Sequence, residues 1–127
     1  MKRLPILIAL IFAGLYLDAH EDGCSTIQED WKSEKEAISY IESTIFLSSE
    51  SLTPNEESWL TSAHFYTCNE ETGYLIIKSN RKTFIHQEVP VGIWNSLKEA
   101  KTIGGYYNFY IKNNYKLEKK GAKSVVL

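Results

Sequence analysis

Apolar and polar positions follow two different periods along this chain. Ala37, Ile38, Ile41, Ile45 and Phe46 fall at helical spacing, with Glu and Ser on the other side. Ser33 followed by Glu36 forms a capping box, whose side chains satisfy free backbone N–H groups at a helix start. A helix over about 33–47 is predicted. Residues 48–58, Ser-Ser-Glu-Ser-Leu-Thr-Pro-Asn-Glu-Glu-Ser, read as a linker, because Ser, Pro and Asn compete with regular structure. Three short β-runs follow, over 59–68, 74–78 and 83–88. In the first, Ala63, Phe65 and Thr67 alternate with His64 and Tyr66. Polar turns at 69–73 and 79–82 separate the runs, and such short loops favour an antiparallel meander.

Pro90 is placed to begin a helix, where its missing N–H costs nothing. Ile93, Trp94, Leu97 and Ala100 supply that helix's buried stripe, and Gly104-Gly105 is expected to end it. Residues 106–112 then alternate Tyr107, Phe109 and Ile111 against Tyr106, Asn108 and Tyr110. This suits a fourth strand, with a short helical turn as the alternative. The expected fold is a small α+β domain. It has an antiparallel three- or four-stranded meander, one packed helix, and an N-terminal helix that joins the core or docks separately.

The first 19 residues change the picture from a plain globular chain. Lys2 and Arg3 precede an uncharged apolar run over 5–17, and Asp18 ends it. The run is shorter than the roughly 20 residues of a membrane span and matches a secretory signal peptide, with cleavage expected after Ala19. The expected location is periplasmic or secreted. The alternatives are an uncleaved membrane anchor and a buried core helix.

Net charge is −2 over 127 residues, but it is unevenly spread. Residues 20–60 hold ten acids against Lys32 and Lys35, and residues 61–127 hold ten bases against five acids. The halves can attract each other, or the basic half can face an acidic partner. Cys24 and Cys68 are the only cysteines. In an exported chain such a pair is a disulfide candidate, tying the start of the mature chain to the end of the first β-run. Two independent buried thiols are the alternative.

The string Val-Pro at 89–90, Leu97, Ala100, Thr102, Gly104, Tyr106-Tyr107-Asn108, Ile111 and Lys112, preceded by Tyr66 and the hydrophobic run 74–78, resembles the KTSC family. That family is a small domain also found after lysyl-tRNA synthetases. The resemblance covers about residues 61–115. The family has no established activity, although RNA binding has been suggested for it. Three positions depart from its pattern. Phe84-Ile85-His86 stands where the family has Tyr-x-Tyr, Thr102 stands for Ser, and the turn before the third run lacks glycine. Read this way, the chain divides into a signal (1–19), an acidic region with one amphipathic helix and a linker (20–58), a KTSC-like domain (59–115) and a basic tail (116–127).

Candidate chemistry is sparse. His64, His86 and Glu88 lack the short spacing of a metal site, and no metal or cofactor is expected. Cys68 and His64 share one strand face but stand roughly 13 Å apart at strand spacing, too far for a catalytic dyad. No catalytic residue is assigned. His86, Thr102, Tyr106, Asn108 and Lys112 are the ligand-binding candidates. The expected function is a non-catalytic binding module outside the cytoplasm, contacting a protein or small ligand. Two alternatives stand beside it. One is an RNA or single-stranded nucleic-acid binder, since Tyr106, Tyr107, Phe109, Tyr110 and Tyr115 interleave with Lys112 and Lys116. The signal peptide and the acidic mature chain disfavour it, as does the reading of Tyr107, Phe109 and Ile111 as core. The other is a small hydrolase using Thr102, His86 or Cys68. A membrane partner enters only if the signal stays uncleaved.

Overall fold

A computed structural model describes residues 23–28, 30–55 and 57–118. The expected signal segment and residues 119–127 of the expected tail lie outside the described residues. Strands β1 (Ser48–Leu52), β2 (Leu60–Thr67), β3 (Thr72–Ser79) and β4 (Thr83–Pro90) form one antiparallel sheet in that spatial order. Helix α1 (Glu34–Glu42) precedes the sheet, and α2 (Val91–Glu99) follows it. A short α3 (Ile103–Tyr106) then runs into a π-helical turn, Tyr107–Ile111. The small α+β fold is therefore as expected. Among the described residues no helix is long and apolar enough to cross a membrane.

Strand alternation sets the layers. In β3, Leu75 and Ile77 face one side and Ile76 the other, and all three are buried. On the first face Leu60, Ala63, Phe65 and Val89 join them, packed under Trp94 and Leu97 of α2 and under Tyr107 and Ile111. Phe65 stacks on Trp94 with ring centroids 5.3 Å apart. On the second face Ile76 and Ile85 meet Trp31, Ala37 and Ile41. The sheet is thus a middle layer between helices, and α1 joins the core. The Cys24–Cys68 disulfide ties the 3-10 turn Gly23–Thr26 to the end of β2. It closes a separation of 44 residues, a loop worth about 4 kcal/mol in the chain-entropy account.

The Ser33 half of the capping box forms, with Ser33 Oγ accepting from the Glu36 N–H at 3.1 Å, while Glu36 Oε1 reaches one residue further back and accepts from the Lys32 N–H at 2.6 Å. The helix nevertheless ends at Glu42 rather than near 47. The hydroxyls of Ser43 and Thr44 donate to the Ser39 and Tyr40 carbonyls, ending the ladder with side-chain bonds. Ile45 is left exposed, and Phe46 packs on Tyr66 and Tyr74.

Two further expectations fail. The fourth strand is not 106–112 but β1, which lies inside the expected linker and pairs from Ser48↔Thr67 to Leu52↔Ala63. Its sequence, Ser-Ser-Glu-Ser-Leu, carries no hydrophobic alternation because it is an edge strand with one face in solvent. Residues 106–111 are helical instead, and Lys112 N–H donates to the Tyr107 carbonyl across a π-type turn at 2.9 Å. Nor does Gly104-Gly105 end α2. That helix stops at Glu99, Ala100 being extended, and both glycines sit inside α3.

Candidate functional site

Helical winding after Thr102 decides which aromatic side chains are sealed in. Tyr107 and Ile111, four residues apart, are buried against the sheet. Phe109 and Tyr110 lie on the other side, Phe109 being 76% exposed, and Tyr106 is half-buried between that side and the core. The Tyr106 and Tyr110 rings lie 4.5 Å apart, and Phe109 meets Tyr110 edge-on at 4.8 Å. The reading of Phe109 as core is therefore corrected: a strand would have buried it with Tyr107 and Ile111, and a helix turns it outward.

Beneath this segment, β4 presents His86 to Tyr107. The imidazole is buried, with Nδ1 3.1 Å from the Tyr115 carbonyl oxygen and Nε2 2.7 Å from the Tyr107 hydroxyl. A carbonyl only accepts, so Nδ1 carries the proton and Nε2 accepts from the Tyr107 O–H. Burial holds the imidazole neutral, lowering its pKa to about 4, and pushes the Tyr107 phenol well above its usual value. Both ring nitrogens are thus engaged in fastening the C-terminal segment. Gln87 N–H also donates to the Tyr115 carbonyl, and Gln87 Oε1 accepts from the Glu118 N–H at 3.0 Å.

The five candidate residues do not form one site. His86 and Lys112 line a cleft of about 330 Å³ with Glu34, Phe84, Tyr107 and Lys116. Thr102 lines another, of about 220 Å³, between residues 54–55 and 57–59 on one side and residues 101–105 on the other. Tyr106 belongs to the aromatic face, and Asn108 is exposed beside it.

Trp59 is the residue that sequence reasoning left unassigned. It is 41% exposed at the wall of the Thr102 cleft, held edge-on against Tyr107 at 5.7 Å. Gly104 packs directly against its indole, so that a Cβ there would collide with the ring. This close approach explains the glycine better than a helix stop does. A Trp closing a polar linker was the available signal.

Other groups are accounted for structurally. Cys68 is held in the disulfide. His64 lies on β2 opposite Ile76 and His86 on β4 opposite Leu75, on opposite faces with β3 between them. Among the described residues no cluster of three His, Cys, Asp or Glu is placed to hold a metal. The charge asymmetry is used within the molecule. Glu42 pairs with Lys78 at 3.0 Å, and Glu50 on β1 takes both the Lys98 ammonium at 2.7 Å and the Trp94 indole N–H at 2.9 Å. Those two donors hold the Glu50 carboxyl below its usual pKa.

The chain matches no family model, no curated protein and no solved structure.

Proposed function

We propose that this chain is an exported, non-catalytic binding module, whose contact surface is the aromatic face of Tyr106, Phe109 and Tyr110. The observation that carries the reading is the exposure of Phe109 and Tyr110 on a segment anchored by buried neighbours on either side. Large aromatic groups left in water beside a firmly packed core mark contact surfaces. The disulfide is compatible with an oxidising compartment outside the cytoplasm, which agrees with the apolar N-terminal run. The resemblance to the KTSC family points to the same stretch of chain. Two of the three groups considered for hydrolysis are engaged elsewhere: Cys68 is bonded to Cys24, and both His86 nitrogens are taken. The third, Thr102, lines a different cleft from His86.

A second reading has its own observation. Phe109 and Tyr110 stand in one segment with the exposed Lys112 and Lys116, the pairing of stacking surface and phosphate attraction that single strands need.

The test starts with the full-length chain in a bacterial host. Fractionation and intact mass are expected to give an extracytoplasmic species beginning at His20 and lighter than the reduced chain by the two hydrogens of one disulfide. That species, and a Phe109→Ser/Tyr110→Ser variant, are then passed over immobilised peptide, glycan and oligonucleotide libraries. Retention on a protein-like or small ligand that the variant loses supports the reading. A cytoplasmic product whose oligonucleotide binding collapses with added salt would replace it with the nucleic-acid reading.

A further inference from the structure

We infer that the Trp59 cleft is a binding site for a neutral pyranose sugar. This cleft lies apart from the aromatic face of Phe109 and Tyr110, and the inference adds a second site and a ligand class to the binding-module reading, on which it rests. The cleft holds about 220 Å³, a small space open to solvent rather than a deep apolar pocket. Its one aromatic wall is Trp59, kept in place by Gly104 and Tyr107 while two-fifths of it stays exposed. A planar ring that is held yet uncovered offers its face to a flat, weakly apolar partner.

The surrounding polar groups define that partner further. Asn55 spends its carbonyl oxygen on the Glu57 N–H, which leaves its amide N–H pair to donate. Ser58 Oγ accepts from the Leu60 N–H and keeps its own proton to give. The Thr102 hydroxyl makes no capping bond to α3. Glu57 adds an acceptor, and Lys101 a donor of opposite charge. Donors and acceptors thus line the cleft together with the indole, and its one lysine and one glutamate balance in charge. A sugar ring has this complementary form: hydroxyls that both donate and accept around its edge, and C–H groups on its face. A phosphate or carboxylate ligand would meet one ammonium and one carboxylate, with no net attraction. A purely apolar ligand would strip water from these polar groups without replacing their bonds.

Saturation-transfer NMR with cellotriose, maltotriose and chitotriose tests the assignment on the full mature chain. At least one is expected to bind saturably at millimolar concentration, with transfer strongest to ring C–H protons. Trp59→Ala should abolish the transfer, and Trp59→Phe should keep part of it. Thr102→Val should weaken binding about three- to tenfold, as expected for one hydrogen bond, with an unchanged thermal midpoint showing that the fold is intact. No transfer from any of the three, or transfer indifferent to Trp59→Ala, overturns the proposal. If Phe109 and Tyr110 still support binding of another partner in that case, the binding-module reading survives without the sugar. If no library ligand is retained either, both fall.

Discussion

His86 shows how one side chain sets a chemical property of the whole fold. Its folded pKa of about 4 lies below the roughly 6.5 of an unfolded histidine, so the unfolded chain takes up the proton first. The stability from this group is complete above pH 6.5 and is lost as pH falls from 6.5 to 4, by up to about 3 kcal/mol. Denaturant titrations across that window are expected to show the slope, and His86→Phe to flatten it. A slope unchanged in the variant would assign it to other groups. Gly73 gives a second prediction at this scale. A Cβ there would strike the Tyr66 carbonyl and the Phe65 ring, so Gly73→Ala should cost about 2 kcal/mol or more in denaturant unfolding. The sequence singled out His86 because it breaks the Tyr-x-Tyr pattern. It could not show that the replacement meets Tyr107, since that contact joins residues 21 apart in the chain.

At the scale of elements, periodicity was legible where a segment was long or one-sided. The Ala63, Phe65 and Thr67 alternation became β2, and Ser33 became the cap of α1. Removing that cap with Ser33→Ala should cost about 1 kcal/mol, read as a lowered thermal midpoint. Residues 106–112 were ambiguous for a physical reason. Tyr107 and Ile111 satisfy both a spacing of two, with Phe109 between them, and a spacing of four without it. Only packing against β4 decides that Phe109 points away. β1 was hidden because a solvated edge strand of Ser and Glu has no periodic signal, and Glu50 acquires its role only through Trp94 and Lys98. Since Phe109 and Tyr110 are exposed, Phe109→Ser/Tyr110→Ser should leave the unfolding free energy within about 0.5 kcal/mol of the parent while removing binding. A large loss of stability would instead make these rings part of the core.

For the whole molecule, the acidic and basic halves of the sequence prove to be partners. The Glu42–Lys78 and Glu50–Lys98 pairs each join one half to the other. Both are partly exposed, so they orient the layers more than they stabilise them. The disulfide is the stronger link, because it ties the N-terminal layer to the sheet. Cys24→Ser/Cys68→Ser is expected to lose about 2–4 kcal/mol. An equal stability of the oxidised and reduced chains would show that hydrophobic packing alone holds that layer.

The three tryptophans also divide the molecule optically. Trp31 lies under one face of the sheet, Trp94 under the other, and Trp59 at the rim in contact with water. Each ring therefore emits from a different compartment, and variants retaining one of them would follow the two buried layers and the cleft as separate signals. If the layers come apart in sequence rather than together, their emission curves will cross the transition at different denaturant concentrations. The chain carries its own set of probes for that question, with no label attached.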